Sequence, residues 1–178
     1  LHDQLDEVDL LELTAPCGGF TLKANNKALV LVTAGVGITP ALSMINAAVG
    51  QQKIEGRDIH FIHCAQNSAS HGFAGHVTQL VNKHPQVSKT FIYSHPSVND
   101  LNGASGHADD FGLLTREHLD QHLKGCQDVE FYVLGPKLFM QSALQLAADL
   151  GIPESQTHYE FFGPLEDLAI KRNATVAA

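Results

Sequence analysis

Residues 28–40 read ALVLVTAGVGITP. A run suited to a buried strand, ALVLVTA (28–34), passes directly into two glycines one residue apart, Gly35 and Gly37, and then into Pro40. Glycines just past a core strand have two physical explanations. Either the turn needs backbone angles that side chains disfavour, or something approaches the backbone too closely for a side chain. The next stretch, PALSMINAAVG (40–50), has helical apolar spacing. A strand-to-helix loop gathers unpaired N–H groups and the positive end of the helix dipole, and both suit a phosphate. Pro40 falls in the first helical turn, where a missing N–H costs nothing, and Thr39 can offer a hydroxyl. The pattern G-x-G-x-x-P departs from the usual dinucleotide fingerprint at its last position. A phosphate cradle and a plain structural turn therefore both remain open. On the first of these, Gly37→Val is expected to weaken dinucleotide binding more than the fold.

The chain continues in the same rhythm. DIHFIHCA (58–65), VSKTFIYS (87–94), VEFYVLG (129–135) and THYEFFG (157–163) read as further strands. HGFAGHVTQLVNKH (71–84), residues 115–123 and residues 136–150 read as helices, and residues 95–112 as a polar loop. The expected fold class is α/β, a doubly wound five-stranded parallel sheet covered on both faces. Ligands of such sheets bind at the carboxyl ends of the strands, where the strand order reverses. The turns at Gly135 and Gly163 should emerge on the same edge as Gly35 and Gly37. Residues 1–27 do not fit the rhythm and read as extended segments about a Pro-Cys-Gly-Gly turn, the end of a neighbouring β-rich domain, with residues 23–27 as a linker. Residues 28–164 form the main domain and residues 165–178 a loose tail.

The 178 residues are 44% hydrophobic, enough for one core, and carry a formal net charge of −8, which disfavours nucleic-acid and anionic-membrane surfaces. No apolar run approaches the roughly 20 residues of a membrane span. The chain opens on Leu1 and polar residues, so it is expected to be part of a longer protein. Cys17, Cys64 and Cys126 form neither a disulfide framework nor a metal pair, as suits a reducing cytosol. Among the 11 histidines, His118 and His122 stand four apart and are expected on a solvated helix face. His60 and His63 should point to opposite faces of the sheet, and His71 and His76 should lie on a helix surface. No metal site and no general acid or base is expected.

Together, AGVGITP, HFIHCAQNSASHGFAGHV, FIYSHP, GLLT, FYVLGPKLFMQSAL and HYEFFGP resemble the nicotinamide domain of ferredoxin–NADP-reductase-like proteins. Within that superfamily the chain is most similar to the C-terminal reductase module of the flavohaemoglobins, the bacterial and fungal nitric oxide dioxygenases. The resemblance runs from about residue 1 to 165. It implies that Ala34, Gly35, Val36, Gly37, Ile38, Thr39 and Pro40 bind the diphosphate and ribose of NADH, with NADPH possible, and that Gln66 lies at the adenosine ribose. It implies that Leu134, Gly135, Pro136 and Met140 lie beside the nicotinamide. Leu134 stands where the family commonly has Cys. Glu160, Phe161, Phe162, Gly163 and Pro164 would close over the flavin, although from the residues alone Phe161 and Phe162 read as one core and one edge residue. Residues 1–27 would end an FAD-binding β-barrel whose own flavin motifs are absent.

The function so implied is that of one module in an electron-transfer chain: NADH gives hydride to FAD, and electrons pass to haem b, where nitric oxide is converted to nitrate. Its partners would be the dinucleotide and the FAD-binding and globin domains of the same chain, in the cytoplasm. The alternatives are a module of a globin-free flavin or ferredoxin-type reductase, and a non-catalytic nucleotide-sensing domain.

Overall fold

Strand β1 (Ala28–Ala34) is buried along almost its whole length and lies at the centre of the molecule. It pairs in parallel with β2 (Ile59–Ala65) on one side and with β5 (Val129–Leu134) on the other. β3 (Val87–Tyr93) adds beyond β2, and β6 (Thr157–Tyr159) beyond β5. A two-residue strand, β4 (Asp110–Phe111), completes a six-stranded parallel sheet of order β4-β3-β2-β1-β5-β6. The computed structural model describes residues 10, 12–15, 18–50, 57–124 and 128–161.

Alternation along the strands sorts two cores. Leu29, Leu31, Phe61 and Tyr132 pack under α1 (Ile38–Gly50) and α2 (Ala74–Lys83). Val30, Val32, Phe131 and Val133 pack under α4 (Arg116–Leu123) and α5 (Lys137–Asp149). Both faces are thus covered, which explains why the strands read as nearly continuous apolar runs. The five strands expected from the sequence are present, and the sheet is doubly wound.

The stretch expected to be a loop, 95–112, holds more structure than it showed. The Ser97 side chain accepts the Asp100 amide at 3.2 Å while the Asp100 carboxylate accepts the Ser97 amide at 2.8 Å. This reciprocal capping makes the short helix α3 (Val98–Leu101). β4 is held to β3 by Asp109 N–H to Phe91 O and Gly112 N–H to Tyr93 O, both 2.9 Å. Two residues have no period to read, so only the pairing reveals them.

Three histidine expectations need correction. His118 is buried, its Nε2 2.8 Å from Asp110 Oδ2 and its Nδ1 accepting the Thr115 amide at 3.0 Å. His122 lies against β3, its Nε2 2.7 Å from Thr90 Oγ1. The two tie α4 to the sheet edge rather than face solvent. His71 is buried just ahead of α2, edge-on to Phe91 and 2.9 Å from the Tyr93 hydroxyl. His76 is exposed on α2, and His60 and His63 do contact opposite layers, His122 and His71 respectively.

Residues 20–27, which include the expected linker 23–27, are bound to the sheet. Phe20 packs edge-on against Tyr132, whose hydroxyl donates to Thr21 O at 3.0 Å and accepts the Lys23 amide at 2.9 Å. Asn25 Nδ2 donates to the buried Glu130 at 2.7 Å, and Lys27 pairs with Asp128 at 2.7 Å. Glu130 also takes His158 Nε2 at 2.5 Å. Burial opposes ionisation of Glu130, but the hydrogen bonds from His158 and Asn25 prevail and hold its pKa below the usual range.

Candidate functional site: the crevice at the carboxyl ends of β1 and β5

From β1 the chain winds outward through β2 and β3 on one side. It returns through β5 and β6 on the other, so the strand order reverses between β1 and β5. That reversal opens a crevice at their carboxyl ends, the usual ligand position in this architecture. The loop Gly35–Gly37 forms one lip, a single 3₁₀ turn leading straight into the 13-residue helix α1. Gly135 and Pro136 form the other lip, at the start of α5.

The two glycines of the first lip have different reasons to be glycine. Gly35 has φ +55°, and a Cβ there would meet nothing within 4 Å. It is a left-handed turn residue under open space. Gly37 is buried, and a Cβ there would lie 2.4 Å from Leu134 O, 2.6 Å from Leu134 C and 3.0 Å from Leu134 Cβ. The partner that approaches Gly37 too closely for a side chain is the end of β5. The expectation that Gly37→Val acts on the ligand before the fold is therefore reversed.

The remaining residues separate into surface and support. Gly35, Val36, Thr39 and Pro136 are exposed, and Pro40 and Gly135 half-buried. They stand at the carboxyl ends of β1 and β5, at the starts of α1 and α5. The Thr39 hydroxyl donates to Val36 O at 3.0 Å. Ala34, Ile38 and Leu134 are buried and shape the lips from behind. Leu134 contributes backbone, its side chain lying in the core under α1 and α2. Met140 is wholly buried among Val133, Ala143 and Leu144 on the α5 side and has no surface towards the crevice. Glu160 is exposed, Phe161 packs half-buried against the core on the α4–α5 side, and Phe162, Gly163 and Pro164 lie outside the described residues. Burial pushes the Cys64 thiol up to about 12, so Cys64 is not a thiolate at neutral pH.

Beside the crevice, the loops after β2 and β3 form a polar shelf. Gln66 is exposed, and its carbonyl accepts the His95 amide at 2.8 Å. The Asn67 side chain accepts the Ser70 amide at 3.1 Å while Ser70 Oγ accepts the Asn67 amide at 3.1 Å, closing a turn over Ser68–Ser70. Asp100, 2% exposed, bridges the two loops. Its Oδ2 accepts the Ser97 amide and hydroxyl at 2.8 Å each and the Ser68 amide at 3.4 Å. Hydrogen bonds, from Ser68 foremost and then from Ser97, hold the Asp100 carboxyl well below the usual range. Sequence reasoning missed this residue, although S-x-x-D at 97–100 is itself a capping signature.

Residues 31–145 match the oxidoreductase NAD-binding domain family, and the chain belongs to that family. In sequence it is similar to the flavohemoprotein of Pseudomonas putida, 44% identical over 164 residues that make up 92% of this chain and 39% of the relative. The flavohemoprotein of Pseudomonas aeruginosa is 45% identical over the same shares. The chain thus spans about two fifths of the length of these relatives. In structure it resembles the flavohem-like FAD/NAD binding domain of nitric oxide dioxygenase from Vibrio cholerae. The TM-score is 0.63 at 24% identity, covering 84% of this chain and 57% of that one. It also resembles a Malassezia yamatoensis flavohemoglobin with bound FAD and heme, with a TM-score of 0.63 at 23% identity over 78% of this chain and 32% of that one. The ferredoxin–NADP+ reductase of Plasmodium falciparum (TM-score 0.58, 15% identity, 82% of this chain and 58% of that one) shares the fold.

Proposed function

We propose that this chain is the NADH-binding reductase module of a flavohaemoglobin, acting in a full-length cytoplasmic protein that converts nitric oxide to nitrate. The observation that carries this is the crevice at the β1/β5 reversal, in a chain 92% of which aligns with a flavohemoprotein at 44% identity. The residues fit a dinucleotide. Open space lies over Gly35, at the positive end of a full-length helix, and suits a diphosphate. The polar shelf at 66–70 and 94–97 offers hydroxyl and amide groups to a ribose. FAD, when bound to the neighbouring domain, would accept hydride from NADH and pass electrons to haem b. The work of this chain is to bind the dinucleotide, orient its nicotinamide and exclude water. Hydride transfer needs no proton acceptor, which agrees with a crevice lined by Gly35, Val36, Gly135 and Pro136.

Large exposed apolar side chains stand along the carboxyl-end edge of the sheet, from Leu113 past β4 through Val36 and Leu138 to Tyr159 on β6, exposed by 75%, 70%, 78% and 45%. Such a grouping supports contact with a further domain there, the FAD-binding barrel of which residues 1–27 would be the end. No helix among the described residues is long and apolar enough to cross a membrane, and the net charge of −8 works against nucleic acid and anionic lipid as partners.

The test is anaerobic mixing of the full-length protein with NADH, followed at the flavin absorbance, and then nitrate formation from nitric oxide under oxygen. Rapid flavin reduction and nitrate production are expected. A flavin that NADH leaves oxidised would refute the module's role, whereas reduction without nitrate would favour a globin-free reductase.

A further inference from the structure

We propose that Asp100 is a specificity-determining residue: its buried carboxylate bars a second phosphate from the adenosine ribose, so the site takes NADH and rejects NADPH. This rests on the dinucleotide reading above. In doubly wound sheets the adenosine ribose is recognised at the end of the second strand, here the loop from Gln66 to Ser70. NADPH differs from NADH by one phosphate on that ribose, close to two negative charges that a tolerant site meets with Arg or Lys.

Three observations place the opposite charge here. Asp100 Oδ2 takes the Ser68 amide at 3.4 Å and the Ser97 amide at 2.8 Å, so backbone donors of both loops are already given to a carboxylate and are lost to a phosphate. Asp100 Oδ1 and the Ser105 hydroxyl are both buried without a close hydrogen-bond partner among the described residues, and Ser105 adds to the lowering of the Asp100 pKa. Finally, among the described residues no Lys or Arg is hydrogen-bonded to the Asp100 carboxylate. Neither 65–74 nor 94–109 contains Lys or Arg. Lys89 is held by Asp109 at 2.8 and 3.0 Å. Arg57 is buried ahead of β2, at the other edge of the sheet, donating to Lys23 O at 3.2 Å. His71 is buried, with a pKa lowered to about 4 by burial foremost, and is neutral at pH 7.5.

A carboxylate that only caps α3 would stabilise the loop without affecting the choice of cofactor. Asp100→Asn separates the two roles, because it keeps the shape and most hydrogen bonds while removing the charge. Dissociation constants of NADH and NADPH are measured by calorimetry at fixed low salt and pH 7.5, for wild type, Asp100→Asn and Ser105→Lys. The last puts a cation into the same loop, at a half-buried position. Removal of one nearby charge is expected to narrow the NADPH/NADH ratio of dissociation constants about five- to tenfold, through tighter NADPH binding. Ser105→Lys is expected to narrow it likewise. An unchanged ratio in Asp100→Asn, including equal weakening of both cofactors, overturns the proposal. If Asp100→Asn fails to fold, Ser105→Lys decides: a narrowed ratio supports the charge mechanism and an unchanged ratio overturns it. A wild type that binds neither cofactor refutes the dinucleotide reading itself, a result distinct from normal NADH binding with no change in ratio.

Discussion

Gly37→Ala tests the packing of the crevice most directly. The added Cβ would lie 2.4 Å from Leu134 O and 2.6 Å from Leu134 C. Both obstacles are backbone atoms at the end of a buried strand, so neither can swing aside. Relief requires the loop to part from β5, next to the Thr33–Leu134 pairing that ends the β1–β5 ladder. Overpacking a rigid site of this kind costs about 2–4 kcal/mol. In a chain of this size that lowers Tm by about 5–15 °C. Gly35→Ala is the control. Its Cβ enters open space, so only the left-handed φ of +55° is penalised, by about 1–2 kcal/mol. Thermal unfolding by circular dichroism, with NADH calorimetry on each variant, separates the effects. Gly37→Ala should lose more stability than Gly35→Ala. A Gly37→Ala protein with wild-type Tm and lost NADH affinity would refute the packing account and restore ligand approach as the reason for that glycine.

Tyr132→Phe removes the hydroxyl that bonds both Thr21 and Lys23. It should destabilise by about 1–2 kcal/mol and raise hydrogen exchange in residues 20–27, and unchanged exchange would show that the segment is held by other contacts. Stability should fall as pH drops from about 6.5, because burial foremost, then the neighbouring His71, lowers the His63 pKa to about 3, and burial likewise brings His122 to about 4. These histidines are neutral when folded, so the unfolded chain gains protons first and the loss grows down to their folded values. His63→Gln should flatten the profile of Tm against pH between 6.5 and 4, and a superimposable profile would exclude His63. In the full-length protein, truncation at Glu160 should slow flavin reduction by NADH in stopped flow. Wild-type rates would remove the segment from the site.

Alternating strand and helix signatures were enough to reveal five of the six strands, the doubly wound class and the edge that bears the site. Buried parallel strands must be apolar throughout and their helices amphipathic, so local composition records them. The position of the glycine lip was legible for the same reason, since strand ends and helix starts are local events. The meaning of Gly37 was not legible, because its obstacle, Leu134, is 97 residues away along the chain and adjacent only through strand pairing. Resemblance alone places Met140 beside the nicotinamide, but helical rotation carries it into the core. His71, His118 and His122 read as surface residues because histidine is polar. His71 and His118 are buried and His122 is half-buried, because a specific partner, Tyr93, Asp110 or Thr90, meets a ring nitrogen of each. Asp100 likewise acquires its surroundings from two loops brought together by the β2–β3 pairing. Periodicity along one segment is a property of the sequence by itself. Which side chain is buried, paired or crowded depends on a second segment, and only the tertiary structure selects that.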